Sequence, residues 1–455
     1  MIATALCISW LYWLFLLPRT AMVVIYDGET FRSIAQLIYE HGWLAYFQTG
    51  PHNEPIYPAL IAAAMKLAEY LPFSYEKILA FIQINILFLT QRLTLRLLKK
   101  CGIPNLICAA VLLYMGLSPC LVNAALSHWS EITAIPFVVA LILLACRAWE
   151  LKDTGDKKSI ALTGVSFALV CIGLVCTKAI FEFVFVIFFL PFIMAGILAM
   201  RRNDKQFKNI VVFAVTALSI FYGFIYTYKS VNRHFNGHFM MADRGPYIMY
   251  GNVIKRTDHP LSAKSWAASL AFIPGDGVCK KIFGDQECAY WQLQQVDHFG
   301  QGKLAELRRQ GMAGSSLDKT LLDLSKTAII THPFQYGTLT ALEGLKIFFW
   351  ESTLVGFVRY PPVLTQLFNC VLLKNSLRLV MAAVTMLAFG FCLWYLLKNK
   401  MQTPASAPLL FMLSFIVPFT AFYAFFFIHT RYTFPIVPLY LTMIAFWLQN
   451  TFKQT

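Results

Sequence analysis

The chain has 455 residues, 58% of them hydrophobic and only 13% charged, against roughly 25% charged in ordinary soluble proteins. That composition excludes a soluble enzyme, a disordered chain and a disulfide-stapled secreted domain, and leaves a polytopic membrane protein. The formal charge of +15 does not mark a nucleic-acid binder, because Lys and Arg fall in short clusters between apolar runs, the imprint of the positive-inside rule on cytoplasmic loops.

A membrane-spanning helix needs about 20 mostly apolar residues. In chain order such runs lie near 2–18, 74–95, 103–125, 131–149, 159–177, 180–200, 209–229, 375–397, 406–428 and 432–450. The expected fold is therefore an all-α polytopic membrane protein of about ten transmembrane helices (ten to twelve), with amphipathic surface helices and a large outer loop region. The first run lacks a basic n-region and a small-x-small cleavage site, so an uncleaved first span is expected. One set of connections carries Arg92, Arg96, Lys99 and Lys100, then Lys152, Lys157 and Lys158, then Arg201, Arg202, Lys205 and Lys208, then Lys398 and Lys400. These alternate correctly to face the cytoplasm. Three parts follow: an N-terminal transmembrane module, 1–229, with a first outer loop at about 19–55; an outer region, 230–374; and C-terminal transmembrane helices, 375–455. Residues 334–358 are apolar but carry Glu343, Lys346 and Glu351, and a charge at mid-bilayer costs about 2.5–3.5 kcal/mol on insertion scales. An interfacial or re-entrant piece is expected there.

All nine His residues lie on the outer side or at its edge, which makes that face the working face. In the first outer loop, Phe31, Ile34, Ala35 and Ile38 form an i, i+3, i+4, i+7 stripe opposite Arg32, Ser33, Gln36 and Glu40. This predicts an amphipathic helix lying on the membrane, with Asp27 at its start. Asp27 there is either a helix cap or a general base at the bilayer surface. Pro51, Pro55 and Pro58 then stop the surface helix around Glu54. The second outer turn holds His128, Trp129 and Glu131. Lys178 ends one span and Glu182 begins the next, either as an i, i+4 ion pair or with Lys178 reserved for a phosphate. The last outer turn offers His429, Arg431 and Tyr432, and Arg is the better phosphate fork. Cys279 and Cys288 stand apart in a polar outer segment, and a disulfide is expected between them in a compartment that permits oxidation. No Walker motif and no dinucleotide fingerprint is present, and the cytoplasmic loops are too short to hold a nucleotide site.

One carboxylate and two cations at the outer interface are what transfer from a lipid phosphate needs: a base for the acceptor and cations for the leaving phosphate. In this order the motifs resemble the membrane glycosyltransferases of the GT-C class, and most nearly the protein-mannosyltransferase and aminoarabinose-transferase-like group that uses polyprenyl-phosphate sugars. The likeness rests on Arg19, on Asp27 with Phe31 and Ala35, on the entry Glu54-Pro55-Ile56-Tyr57-Pro58, on Ser130-Glu131, on Thr177-Lys178, on His332-Pro333-Phe334-Gln335-Tyr336, and on Arg431-Tyr432 with Pro435 and Pro438. It implies inverting transfer on the periplasmic or lumenal side of a membrane, such as the bacterial inner membrane, with Asp27 as base. The donor would be a polyprenyl-phosphate-linked sugar and the acceptor a glycan, lipid or protein of the cell envelope; nucleic acid has no part. Gly28 stands where many relatives carry a second acid, and Thr30 and Glu54 replace an Arg and a Lys of aminoarabinose-type members, so Glu29 or Glu54 becomes the second acid that orients the acceptor. Glu54, His128, Glu131, Lys178, His429, Arg431 and Tyr432 complete the substrate-binding set. No cofactor is called for, and a divalent cation is left open. The competing readings are an O-antigen polymerase or ligase and, in another class, a secondary transporter or flippase of lipid-linked sugars.

Overall fold

The computed structural model describes residues 1–50, 53–153, 156–201, 205–258, 262–351, 353, 356–399 and 402–452. Among them nine helices are long and apolar enough to cross a membrane: Ile2–Arg19, Tyr75–Lys100, Glu131–Leu151, Lys157–Thr177, Phe181–Leu198, Lys208–Asn236, Val371–Asn399, Ser406–Phe426 and Thr430–Phe452. A tenth is broken, Asn105–Leu117 and Pro119–Ala125 meeting at a bend of 54°. The run expected at 103–125 is this bent pair. Pro119 supplies no N–H to the preceding turn, and the break is satisfied from outside the pair. The Glu351 carboxylate accepts hydrogen bonds from the Tyr114 hydroxyl (2.6 Å), the Ser118 hydroxyl (2.7 Å) and the Cys120 N–H (3.1 Å).

The described residues of 334–358 form no span. They fold as a helix, Pro333–Gly344, and a 3₁₀ turn, Leu345–Phe348. Glu343 and Lys346 are buried in protein and paired: Glu343 accepts from Lys255 (3.0 Å), from Lys346 (2.9 Å) and from the Arg256 guanidinium. Pairing inside the fold removes the penalty that an isolated charge would meet in lipid.

The amphipathic helix forms as Asp27–Thr49, kinked at Gly42 where φ is +79°. The predicted stripe of Phe31, Ile34, Ala35 and Ile38 is buried and Arg32, Ser33, Gln36 and Glu40 are exposed. The cover comes from the chain itself, for the Phe31 ring meets the Tyr57 ring edge-on at 5.0 Å, on the helix Ile56–Ala68. Gly50, at φ +102°, ends the helix ahead of the prolines; Pro51 and His52 lie outside the described residues.

A two-stranded antiparallel ribbon pins the outer region to the first outer loop, pairing Ala21 with Arg359 and Met22 with Val358. It fixes the chain just upstream of Asp27. Cys279 and Cys288 are joined as a disulfide, with Cα atoms 5.8 Å apart, inside a small core with Trp291 and Leu339.

Candidate functional site

Asp27 opens its helix directly after Tyr26, the one non-glycine among the described residues with positive φ (+52°). That conformation is uncommon for a bulky side chain and costs of order 1–3 kcal/mol, a strain that tends to mark functional segments. It turns the chain sharply out of the ribbon and sets the Asp27 carboxylate at the helix start.

Two guanidinium groups close on that carboxylate. Arg431 pairs with one oxygen, and Arg244 donates to the other at 3.1 Å. Arg244 also donates to Asn53 Oδ1 at 2.7 Å. Lys178 sits behind them, its Nζ 3.2 Å from Glu131 Oε1, and Arg431 Nε lies 3.7 Å from the same oxygen. Tyr432 provides a face to both cations, with Lys178 5.3 Å and Arg431 5.5 Å from the ring centroid. Trp129 lies 5.9 Å from Arg431 on another side. The site thus holds cations from three distant parts of the chain, with aromatic rings packed against two of them.

The electrostatics follow from this packing. Burial pushes the Asp27 carboxyl up, but Arg431, Arg244 and Lys178 outweigh it and hold it well below the usual carboxylate range. Burial acts to strip the Lys178 proton, but Glu131 above all reverses this, and the ammonium is held above the ordinary lysine value.

Several predicted residues act by support. Glu54 accepts the Ala179 N–H at 2.7 Å and so fixes the turn that carries Lys178. His429 accepts the Arg431 N–H at 3.2 Å and shapes the short 3₁₀ turn Thr430–Ile436. Burial, with Arg431 nearby, presses the His429 imidazole down to about 3, so it stays neutral and able to accept. The i, i+4 pair of Lys178 with Glu182 does not form: Glu182 pairs with Lys229 at 2.7 Å instead, and Lys178 turns toward Glu131.

Two predicted residues fall outside the cluster. Glu29 is exposed, because positions two apart on a helix point to different faces. His128 is buried against the Tyr75 ring at 6.1 Å, and neither ring nitrogen has a hydrogen-bond partner among the described residues. Burial holds its imidazole down at about 4. His128 also bears on Gly28: a Cβ at 28 would stand 3.1 Å from the His128 Cβ, so a side chain beside Asp27 would require His128 to give by a few tenths of an ångström. Arg19 folds back on its own helix, donating to the Phe15 carbonyl at 3.0 Å.

The sequence reading missed Arg244, Asn53 and Asp297. Arg244 precedes the helix Gly245–Thr257, and its only local signal is a charged Asp243-Arg244 pair before Gly-Pro. Asp297, on the helix Leu293–Arg309, lies within electrostatic reach of Arg244 and Asp27, and burial raises its carboxyl. Among the described residues no cluster of His, Cys, Asp and Glu has the makings of a metal site.

Fold and site together define a multi-pass integral membrane protein with a largely buried, charge-dense cluster drawn from its first, third, fifth and last inter-helix connections and its outer region. Compared with known proteins, the sequence matches no protein-family model and no curated protein.

Proposed function

We propose that the chain is an integral-membrane glycosyltransferase that moves a sugar from a polyprenyl-phosphate donor to a cell-envelope glycan, lipid or protein, on the periplasmic face of a bacterial inner membrane. The observation that carries this reading is the Asp27 carboxylate gripped by Arg244 and Arg431, with Lys178, itself paired to Glu131, beside them. A carboxylate so gripped is a weak base. The donor phosphate competes for the same guanidinium groups, and as they turn to it the Asp27 carboxyl returns toward its ordinary range.

The bond changes are then simple. An acceptor hydroxyl attacks the anomeric carbon as the bond from that carbon to the phosphate oxygen breaks, with inversion. Asp27 takes the hydroxyl proton. The departing polyprenyl phosphate gains one negative charge, and fixed cations in a site of low dielectric stabilise it. Arg431 does so through two parallel hydrogen bonds and Lys178 as a point charge.

The test is donor binding by the purified protein in lipid nanodiscs. Arg431→Lys is expected to bind polyprenyl-phosphate sugar at least tenfold more weakly, although the charge is kept, and Lys178→Arg to retain most of the affinity. Unchanged binding and turnover in both Arg431→Ala and Lys178→Ala would end the phosphate assignment.

A further inference from the structure

A separate cavity of about 540 Å³ opens in the outer region, between the C-terminal end of the helix Asp27–Thr49, the segment 236–247, and the helices Leu293–Arg309 and Gly314–Thr331. Its size falls in the range of small-molecule sites, about 300–1,000 Å³. At its floor His238 Nδ1 and Asp318 Oδ2 are 2.7 Å apart, with the Asp318 side chain only 8% exposed. Asp243, Arg308, Tyr247 and Met312 also line it.

The mixture of groups selects the ligand chemistry. A purely anionic ligand would face two carboxylates, and a purely cationic one would face the Arg308 guanidinium. A polyhydroxyl ligand suits the set, since each hydroxyl both donates and accepts: carboxylate oxygens accept its hydrogen bonds, and the Arg308 guanidinium N–H groups donate to its oxygens. Tyr247 and Met312 offer apolar surface to the C–H face of a pyranose. We infer that this cavity is a saccharide-binding site.

Its place makes it the acceptor's anchor, and that part rests on the transferase reading above. Asp243 lines the cavity while its neighbour Arg244 reaches Asp27, and Tyr247, one helical turn further on, lines the cavity within electrostatic reach of Arg244. A saccharide seated here leaves the rest of its glycan on the outer side, next to the site where Arg244 must let go of Asp27.

The experiment is a printed array of neutral, amino and acidic glycans, probed with the full-length protein in nanodiscs. Wild type is expected to be retained on at least one glycan. Asp318→Asn and Arg308→Ala are each expected to weaken that retention at least tenfold, with donor binding and melting temperature held for Arg308→Ala, whose side chain sits on the exposed rim. Retention on no glycan, or retention untouched by both substitutions, overturns the inference. Glycan retention that depends on this cavity, in a protein that transfers no sugar, would instead remove the transferase reading and leave the saccharide site standing.

Discussion

Removing Arg244 separates a residue that positions Asp27 from one that merely packs beside it. In the resting site Arg244 makes two hydrogen bonds, to Asp27 at 3.1 Å and to Asn53 at 2.7 Å. A hydrogen bond to a charged group contributes about 1.5–3 kcal/mol, and both side chains are partly open to solvent (32% for Arg244 and 25% for Asp27), which favours the lower end. In the reacting complex Arg244 turns from Asp27 to the donor phosphate, and with tenfold per 1.4 kcal/mol the loss of one such hydrogen bond in Arg244→Ala is expected to lower kcat/KM for the lipid donor by roughly 10- to 30-fold. Arg244→Lys keeps the charge but loses the fork, and falls between the two. The same change relieves Asp27 of one of the cations that depress its carboxyl, so the acidic limb of the rate profile should move to higher pH. The assay is steady-state transfer in nanodiscs from pH 3 to 8, with donor binding measured in parallel. Turnover within twofold of wild type, on an unmoved acidic limb, would show that Arg244 does not act on Asp27.

Gly28→Ala puts a Cβ 3.1 Å from His128 Cβ and should cost about 1–3 kcal/mol by overpacking, read as a lower melting temperature; an unchanged one would show that the turn gives way freely. Replacing Cys279 and Cys288 by Ser opens a loop closed over a separation of 9 residues, and should cost about 2.5 kcal/mol by chain entropy, while neither thiol of the wild type should label before reduction. His128 stays neutral in the fold down to about pH 4, whereas in the unfolded chain it takes its proton near 6.5. The unfolded state therefore binds the proton first, and stability falls as pH drops from about 6.5 to 4, by up to roughly 3 kcal/mol. His128→Gln should flatten that part of the melting-temperature profile, leaving the share owed to His429; an identical slope would assign the effect elsewhere.

The membrane architecture was plain in the sequence because hydropathy reports it directly: the predicted runs coincide with nine spanning helices and one bent pair. The face of the helix Asp27–Thr49 was equally legible, since a 3.6-residue period fixes which side is apolar. What covers that face was not, because periodicity does not distinguish lipid from the helix carrying Tyr57. Within the site, Asp27, Glu131, Lys178 and Arg431 could be found because each charge stands at the edge of an apolar run. Arg244 and Asp297 lie in a polar region where charges are ordinary, and only the fold brings them to Asp27. The pairing of Lys178 shows the same limit: local spacing favours Glu182, but Lys229 takes that carboxylate from a helix 47 residues away.

The most direct measurement of the central claim is turnover by Asp27→Asn on a polyprenyl-phosphate sugar, alongside donor binding by the same preparation. Loss of a general base lowers the rate by roughly 10²–10⁴. Since Asn cannot compete for the two guanidinium groups, the variant is expected to bind donor at least as tightly as wild type while transferring its sugar hundreds-fold more slowly or worse. Near wild-type turnover in Asp27→Asn would contradict the account and remove Asp27 from the chemistry.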